Sequence, residues 1–144
     1  MHITPIVRAV VIHQGHLLMC RHPGADFYCL PGGKLEIGET LSDGLARELI
    51  EETTCQPDIG RLLFINEFIT PKVHRIEFFF LVNNGADYVN LDRTKASHSH
   101  ELADLVLADP TDPVYNLKPA FLRDRFAEVM TRRHQFDTEI IRSS

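Results

Sequence analysis

Basic residues are the minority charge in this 144-residue chain: 15 Lys and Arg stand against 20 Asp and Glu, a formal net charge of -5. No long basic run occurs, which argues against a surface for polynucleotides while leaving a nucleotide-sized ligand open. Long apolar runs are missing too. The longest, 78–82, is strand-sized and falls far short of the roughly 18–20 residues that span a bilayer. The amino terminus has no basic stretch leading into an apolar one, so no signal peptide is expected and the chain reads as cytoplasmic. Cysteine is scarce and odd in number. Cys20, Cys29 and Cys55 have no close paired spacing, which argues against a disulfide framework or a structural zinc site and for buried free thiols.

What is present reads as one domain, 1–144, with enough apolar residues for a core. Residues 6–12 and 16–20 are aliphatic runs around the turn-like Gln14-Gly15 and predict a hairpin. A brief strand is expected over 27–30. Strands are expected over 62–69 and 76–82, the second covered on both faces, and an extended segment over 102–108. Glu77 is the exception on the buried strand; it needs a partner, either a cation such as Arg75 or a ligand. Pro119 fits the first turn of a helix over 117–134 that buries Leu122, Phe126, Val129 and Met130, with Arg123, Arg125, Arg132 and Arg133 on its outer side. The tail after Gln135 shows no packing pattern.

The informative stretch follows Pro31-Gly32-Gly33. Thr40 and Asp43 predict a capping box, and helical periodicity runs over 41–53. Gly44 lies inside at a cost of roughly 1 kcal/mol against alanine, which implies close packing of that turn on the sheet. Glu48, Glu51 and Glu52 are three and four apart, so the spacing puts all three on one face with Leu41, Leu45 and Leu49 on another. Such a cluster is either a solvated face or a site for a hard divalent cation, which prefers carboxylate oxygens.

Gly33, Glu39, Arg47, Glu48, Glu51 and Glu52, in this register, resemble the signature box of the Nudix hydrolases. Thr54 stands where the pattern has glycine, and Cys55 where it has an aliphatic residue. The resemblance implies an α/β fold, an α/β/α sandwich with a mixed β-sheet between helices. It implies hydrolysis of a nucleoside diphosphate linked to another moiety, such as a nucleoside triphosphate, ADP-ribose or a nucleotide sugar, by water attack at phosphorus. Magnesium is the implied cofactor, with manganese as the alternative. Carried over by position, Glu48, Glu51 and Glu52 are metal ligands, one of them alternatively the general base. Gly33 offers its carbonyl, Glu39 braces the loop and Arg47 orients a box glutamate.

Relatives often recruit an acid outside the box; Glu101 is the first choice here, before Asp92 and Glu77. His98 and His100 beside it read as part of a polar loop, with metal or acid–base work as the second reading. Phe27, Tyr28 and Phe68 are available to stack on a base, and Glu77 to contact substrate. Pro71, 16 residues beyond Cys55, has a spacing that resembles the ADP-ribose-hydrolysing members. Partners are expected to be small nucleotides, without long nucleic acid or membrane; homodimers occur among relatives. The contrasting reading is a non-catalytic domain that senses a nucleotide sugar, motivated by Thr54.

Overall fold

The computed structural model describes residues 2–92, 96 and 101–144. His98 and His100 lie outside these described residues. The hairpin forms as expected, from β1 (Ile3–His13) and β2 (His16–Arg21), with Gln14 and Gly15 both at positive φ in the turn. The chain continues through β3 (Gly32–Lys34), helix α1 (Leu41–Thr53), β4 (Ile59–Ile69), β5 (His74–Val82), β6 (Asp104–Ala108), helix α2 (Phe121–Arg132) and β7 (Glu139–Ser143). The strands make one mixed sheet in the order β6-β2-β1-β5-β4-β7, with β3 paired to β1 off this path.

Alternation along the central strands sends side chains to two separate cores. Val7, Ala9 and Val11 of β1 and Phe80 and Val82 of β5 meet Leu45 and Leu49 of α1 on one face. Val10 of β1 and Phe79 and Leu81 of β5 meet Leu122, Phe126 and Val129 of α2 on the other. A register irregularity between Leu62 and Phe64 lets Leu62 join the first core while Leu63 and Phe64 join the second. Phe64 packs edge-on against Phe79, Phe121 and Phe136 at centroid distances of 5.2–6.3 Å. Helices therefore cover both faces of the sheet, and β5, flanked by β1 and β4, is central as its sequence predicts.

Three expectations need correction. Residues 27–30 form no strand; only an isolated antiparallel bridge joins Cys29 to Cys20. Helix α2 begins at Phe121, beyond Pro119, and not at 117. The carboxy-terminal tail, where no pattern is evident, pairs in parallel with β4. It is held by Thr138 Oγ1 donating to the Leu62 carbonyl at 2.7 Å and Ser143 Oγ donating to Asn66 Oδ1 at 2.9 Å. Among the described residues no helix is long and apolar enough to cross a membrane.

The edge of β1 is divided. Its last residues pair with β2, at Ile12 with Leu17, while its first half pairs with β3 at Ile6, Val7 and Arg8. Between these, the Ala9 N–H donates to the Pro31 carbonyl at 2.9 Å. The glycine segment ahead of α1 is thus inserted into the sheet as a strand. Gly32 makes this fit: its φ is +138°, and a Cβ there would lie 1.9 Å from the Val7 carbonyl oxygen.

Candidate active site

Helix α1 starts where the sequence says it should, with Thr40 Oγ1 accepting from the Asp43 N–H at 3.1 Å. At Gly44 a Cβ would meet Leu35 Cδ1 at 2.5 Å and Glu39 Oε1 at 3.2 Å, so this turn packs against side chains of the preceding loop and not against the sheet. The helix ends in the left-handed conformation that glycine would adopt: Thr54 has φ 66° and ψ -3°, and its N–H donates to the Ile50 carbonyl at 2.9 Å. Thr54 therefore leaves the box geometry intact and carries local strain instead. Thr54→Gly should raise unfolding stability by about 0.5–1 kcal/mol, the left-handed penalty less the entropy of glycine, readable by urea denaturation with turnover unchanged.

The three glutamates lie within an arc of about 100° on the helix, as their spacing predicts, with Glu52 at its inner edge beside the leucines. Glu52 lies seven residues beyond Leu45 and three beyond Leu49, on the stripe that α1 buries, and is only 4% exposed. Glu48 and Glu51 lie successively farther from that stripe, on the same side of it, and are half-buried. Burial, with the Glu48 charge behind it, pushes the Glu52 carboxyl up to about 8, opposed by Arg8 and by a hydrogen bond from the Gly32 backbone. Burial also raises Glu48, against the attraction of Arg47. Oε2 of Glu52 is buried without a hydrogen-bond partner. An orphaned carboxylate oxygen in this position is costly unless a cation or a proton meets it.

Arg47 organises the rest. Its Nε and Nη2 donate to the two oxygens of Glu39 at 2.7 and 3.0 Å, and Nη2 also donates to the Lys34 carbonyl at 3.2 Å. Nη1 donates to Glu48 Oε1 at 3.2 Å and to Glu51 Oε2 at 3.3 Å. One guanidinium fork thus ties the loop acid to two helix acids, and its hydrogen bond to Glu39 holds that carboxyl below its usual range. Gly33 completes the cradle: a Cβ on it would fall 2.6–2.8 Å from the carboxylate atoms of Glu48. Donor chemistry, clustered charge and the orphan oxygen all fit a hard divalent cation held by Glu48, Glu51, Glu52 and the Gly33 carbonyl. Arg47→Lys keeps the charge but loses the fork, and should lower kcat or metal affinity by about 10–100-fold, measured by steady-state kinetics against metal concentration.

Residues outside the box divide. Glu77, 4% exposed, accepts from Asn66 Nδ2 at 3.0 Å and stands 3.6 Å from Arg8 Nε, so its cation is Arg8 and not Arg75. Arg75 instead lies over the Phe68 ring at 4.4 Å, with its Nε buried and unpartnered. Tyr28 packs edge-on against Tyr115 at 5.1 Å and its hydroxyl donates to Asp104. Phe27 is half-buried with Lys118 Nζ 5.0 Å from its ring centre. Glu101 is exposed on the β2–β6 side, where its carbonyl lies 3.3 Å from Nδ1 of His22. Asp92 lies on an exposed stretch after the turn Gly85–Tyr88. Arg125 is committed to Glu139 at 2.6 Å and Glu128 at 3.5 Å, and Arg133 donates to the Met130 carbonyl. The open cavity of about 310 Å³ between the end of α2 and β7 is lined by none of the box residues.

Sequence reasoning missed Arg8, an arginine inside a β-strand run that reads as core, and the meeting of Cys20 with Cys29. Their side chains could have been suspected only from the strand pairing.

The NUDIX domain family model matches residues 3–128. A MutT-like protein of Streptomyces ambofaciens is 29% identical over 97 residues, 67% of this chain and 63% of that protein, so the match spans less than two thirds of the relative's length. Among solved structures, the E. coli ORF135 protein superposes with a TM-score of 0.70 at 23% identity, covering 92% of both chains. The MutT protein from Methanosarcina mazei Go1 gives 0.68 at 24% identity, covering 92% of this chain and 96% of that one. At these identities the structural likeness establishes the fold, and the family-model match over most of the chain establishes membership: this chain belongs to the Nudix family.

Proposed function

We propose that this protein is a divalent-metal-dependent hydrolase, with magnesium as the metal and manganese able to replace it, that cleaves the pyrophosphate linkage of a small nucleotide by water attack at phosphorus. The observation that carries the reading is the buried Glu52 oxygen without a partner, set beside Glu48 and the Gly33 backbone. When bound, the cation supplies charge that screens the pyrophosphate oxygens and acidifies water. The chain's own part is to keep Glu48 and Glu51 aimed through Arg47, to exclude solvent around Glu52, and to fix the Gly33 carbonyl through the β1–β3 pairing. Glu101 is retained as the acid recruited from outside the box.

The substrate side falls to the sheet face beyond the α2 core, where alternation aligns Phe68 and Asn66 of β4 with Arg75 and Glu77 of β5. Phe68 offers a ring for a base and Arg75 an unpartnered N–H for a phosphate. Phe27 supplies a second ring; Tyr28 and Glu77 act through the contacts they already make. The sensing alternative rests on Thr54, which ends α1 in the conformation glycine would take; a complete set of glutamates favours turnover.

Purified protein incubated with magnesium and a panel of nucleoside triphosphates, nucleotide sugars, ADP-ribose and dinucleotides should release product from at least one class. A chelator should stop the reaction, and added magnesium or manganese should restore it. Tight metal-independent binding with no turnover on any member would instead establish the sensor.

A further inference from the structure

Outside the acidic site, Cys20, His22 and Cys29 form the one group of three soft or borderline donors that the described residues bring together, their ligand atoms all within 4.8 Å of one another. Cys20 and Cys29 face each other across the isolated bridge, exchanging both backbone hydrogen bonds at 2.8 Å, so the backbone fixes their separation. Their sulfurs are 3.7 Å apart. A disulfide would require closure to about 2.05 Å. Two zinc–sulfur bonds of about 2.3 Å at a tetrahedral angle, by contrast, put sulfurs about 3.8 Å apart. The observed spacing already matches the second arrangement.

The third donor is supported from behind. His22 Nδ1 lies 3.3 Å from the Glu101 carbonyl, an oxygen that can only accept, so Nδ1 donates; contact with Cys29 raises the ring, and a metal taking Nε2 displaces a proton. A backbone carbonyl holding the far nitrogen is the usual outer contact of a metal-bound imidazole. His22 is exposed and Cys29 half-buried, so the site is reachable from solvent. A hydrogen bond from Cys20, aided by His22 and Arg8, holds the Cys29 thiol well below its usual range, and the same contact raises Cys20. Arg8, whose charge bears on both thiols and on Glu52, is paired with Glu77.

We propose that Cys20, His22 and Cys29 form a second metal site, selective for a thiophilic divalent cation such as zinc, with a water or other small ligand completing a tetrahedron. It is chemically distinct from the all-oxygen site on α1: sulfur and imidazole donors disfavour magnesium. Its place in the fold gives it a role as a brace. Cys29 directly precedes Leu30, whose carbonyl accepts from Arg8 at 3.2 Å, and then the inserted segment Gly32–Lys34. A metal on Cys29 therefore ties the entry of the glycine segment to β2.

Cobalt(II) reports on this without reference to activity. Titrated into the full, freshly reduced chain under saturating magnesium, which occupies the carboxylates, it should give thiolate-to-cobalt charge-transfer absorption and tetrahedral visible bands that saturate at one equivalent and are bleached by zinc. Cys29→Ser should abolish the charge-transfer band. His22→Ala, a surface change that spares the core, should weaken the titration by roughly tenfold or more. Three results would overturn the site: no thiolate band in the native chain, a band that survives both substitutions, or conversion of the two thiols to a disulfide in zinc-containing buffer with no metal retained.

Discussion

Glu52→Gln should reduce turnover by several orders of magnitude and, in the metal-free protein above pH 5, make the fold more stable. Both effects come from one cause. The carboxyl sits on the buried stripe of α1 with one oxygen unpartnered, and burial holds it at about 8 against an ordinary value of 4.5. Below 4.5 the group is protonated whether the chain is folded or not, and burial costs little. Between 4.5 and about 8 the folded state keeps a proton that the unfolded state has lost, so stability falls as pH rises through this window and levels off above it. Glutamine removes that slope, a gain on the order of a few kcal/mol at the upper end. The native protein should recover the same stability from magnesium, while the variant should not. Denaturation midpoints across pH 4–9, with chelator and with magnesium, test this. A variant that loses activity but keeps the native pH slope would place the buried proton elsewhere.

Gly32→Ala should be the most damaging single methyl addition in the glycine segment. The added carbon would lie 1.9 Å from the Val7 oxygen and 2.9 Å from its carbonyl carbon, both backbone atoms of the central sheet. Nothing flexible is there to yield, and φ of +138° belongs to a region that alanine rarely enters. Strand β3 must leave the edge of β1, costing about 3–5 kcal/mol when strain and overpacking are combined. Gly33→Ala is the instructive contrast. Its clash, at 2.6 Å, is with the Glu48 carboxylate and not with backbone. That variant should stay folded and lose metal affinity, so circular dichroism and metal titration together separate the two glycines.

The legible parts of this chain are those in which chemistry follows local spacing. The α1 boundaries, the Thr40 cap and the Arg47–glutamate cluster come from residues a few positions apart, where helical geometry determines who meets whom. The burial of Glu52 is legible too, since Leu45, Leu49 and Glu52 trace one buried stripe at the inner edge of the acidic face. The rest depends on contacts between distant segments. Strand β7 is hidden because Ile140 and Ile141 are adjacent, which breaks the alternation that marks a half-buried strand, and Ile140 points outward at 62% exposure. Glu77 has a cation as expected, but which arginine serves is decided by the parallel register that sets β1 beside β5. The Cys20–Cys29 meeting likewise arises from a backbone bridge that no cysteine spacing announces.

The divided edge of β1 has a consequence for how such a protein can change. Because the glycine segment pairs with β1 at Ile6, Val7 and Arg8 and its entry accepts from the Ala9 N–H at the Pro31 carbonyl, its position is set by main chain. The exposed Pro23 and Asp26 in that connection can therefore change identity while the glycine segment keeps its register. The seam that holds the acidic box and the outer turn before it are, in this arrangement, separately editable.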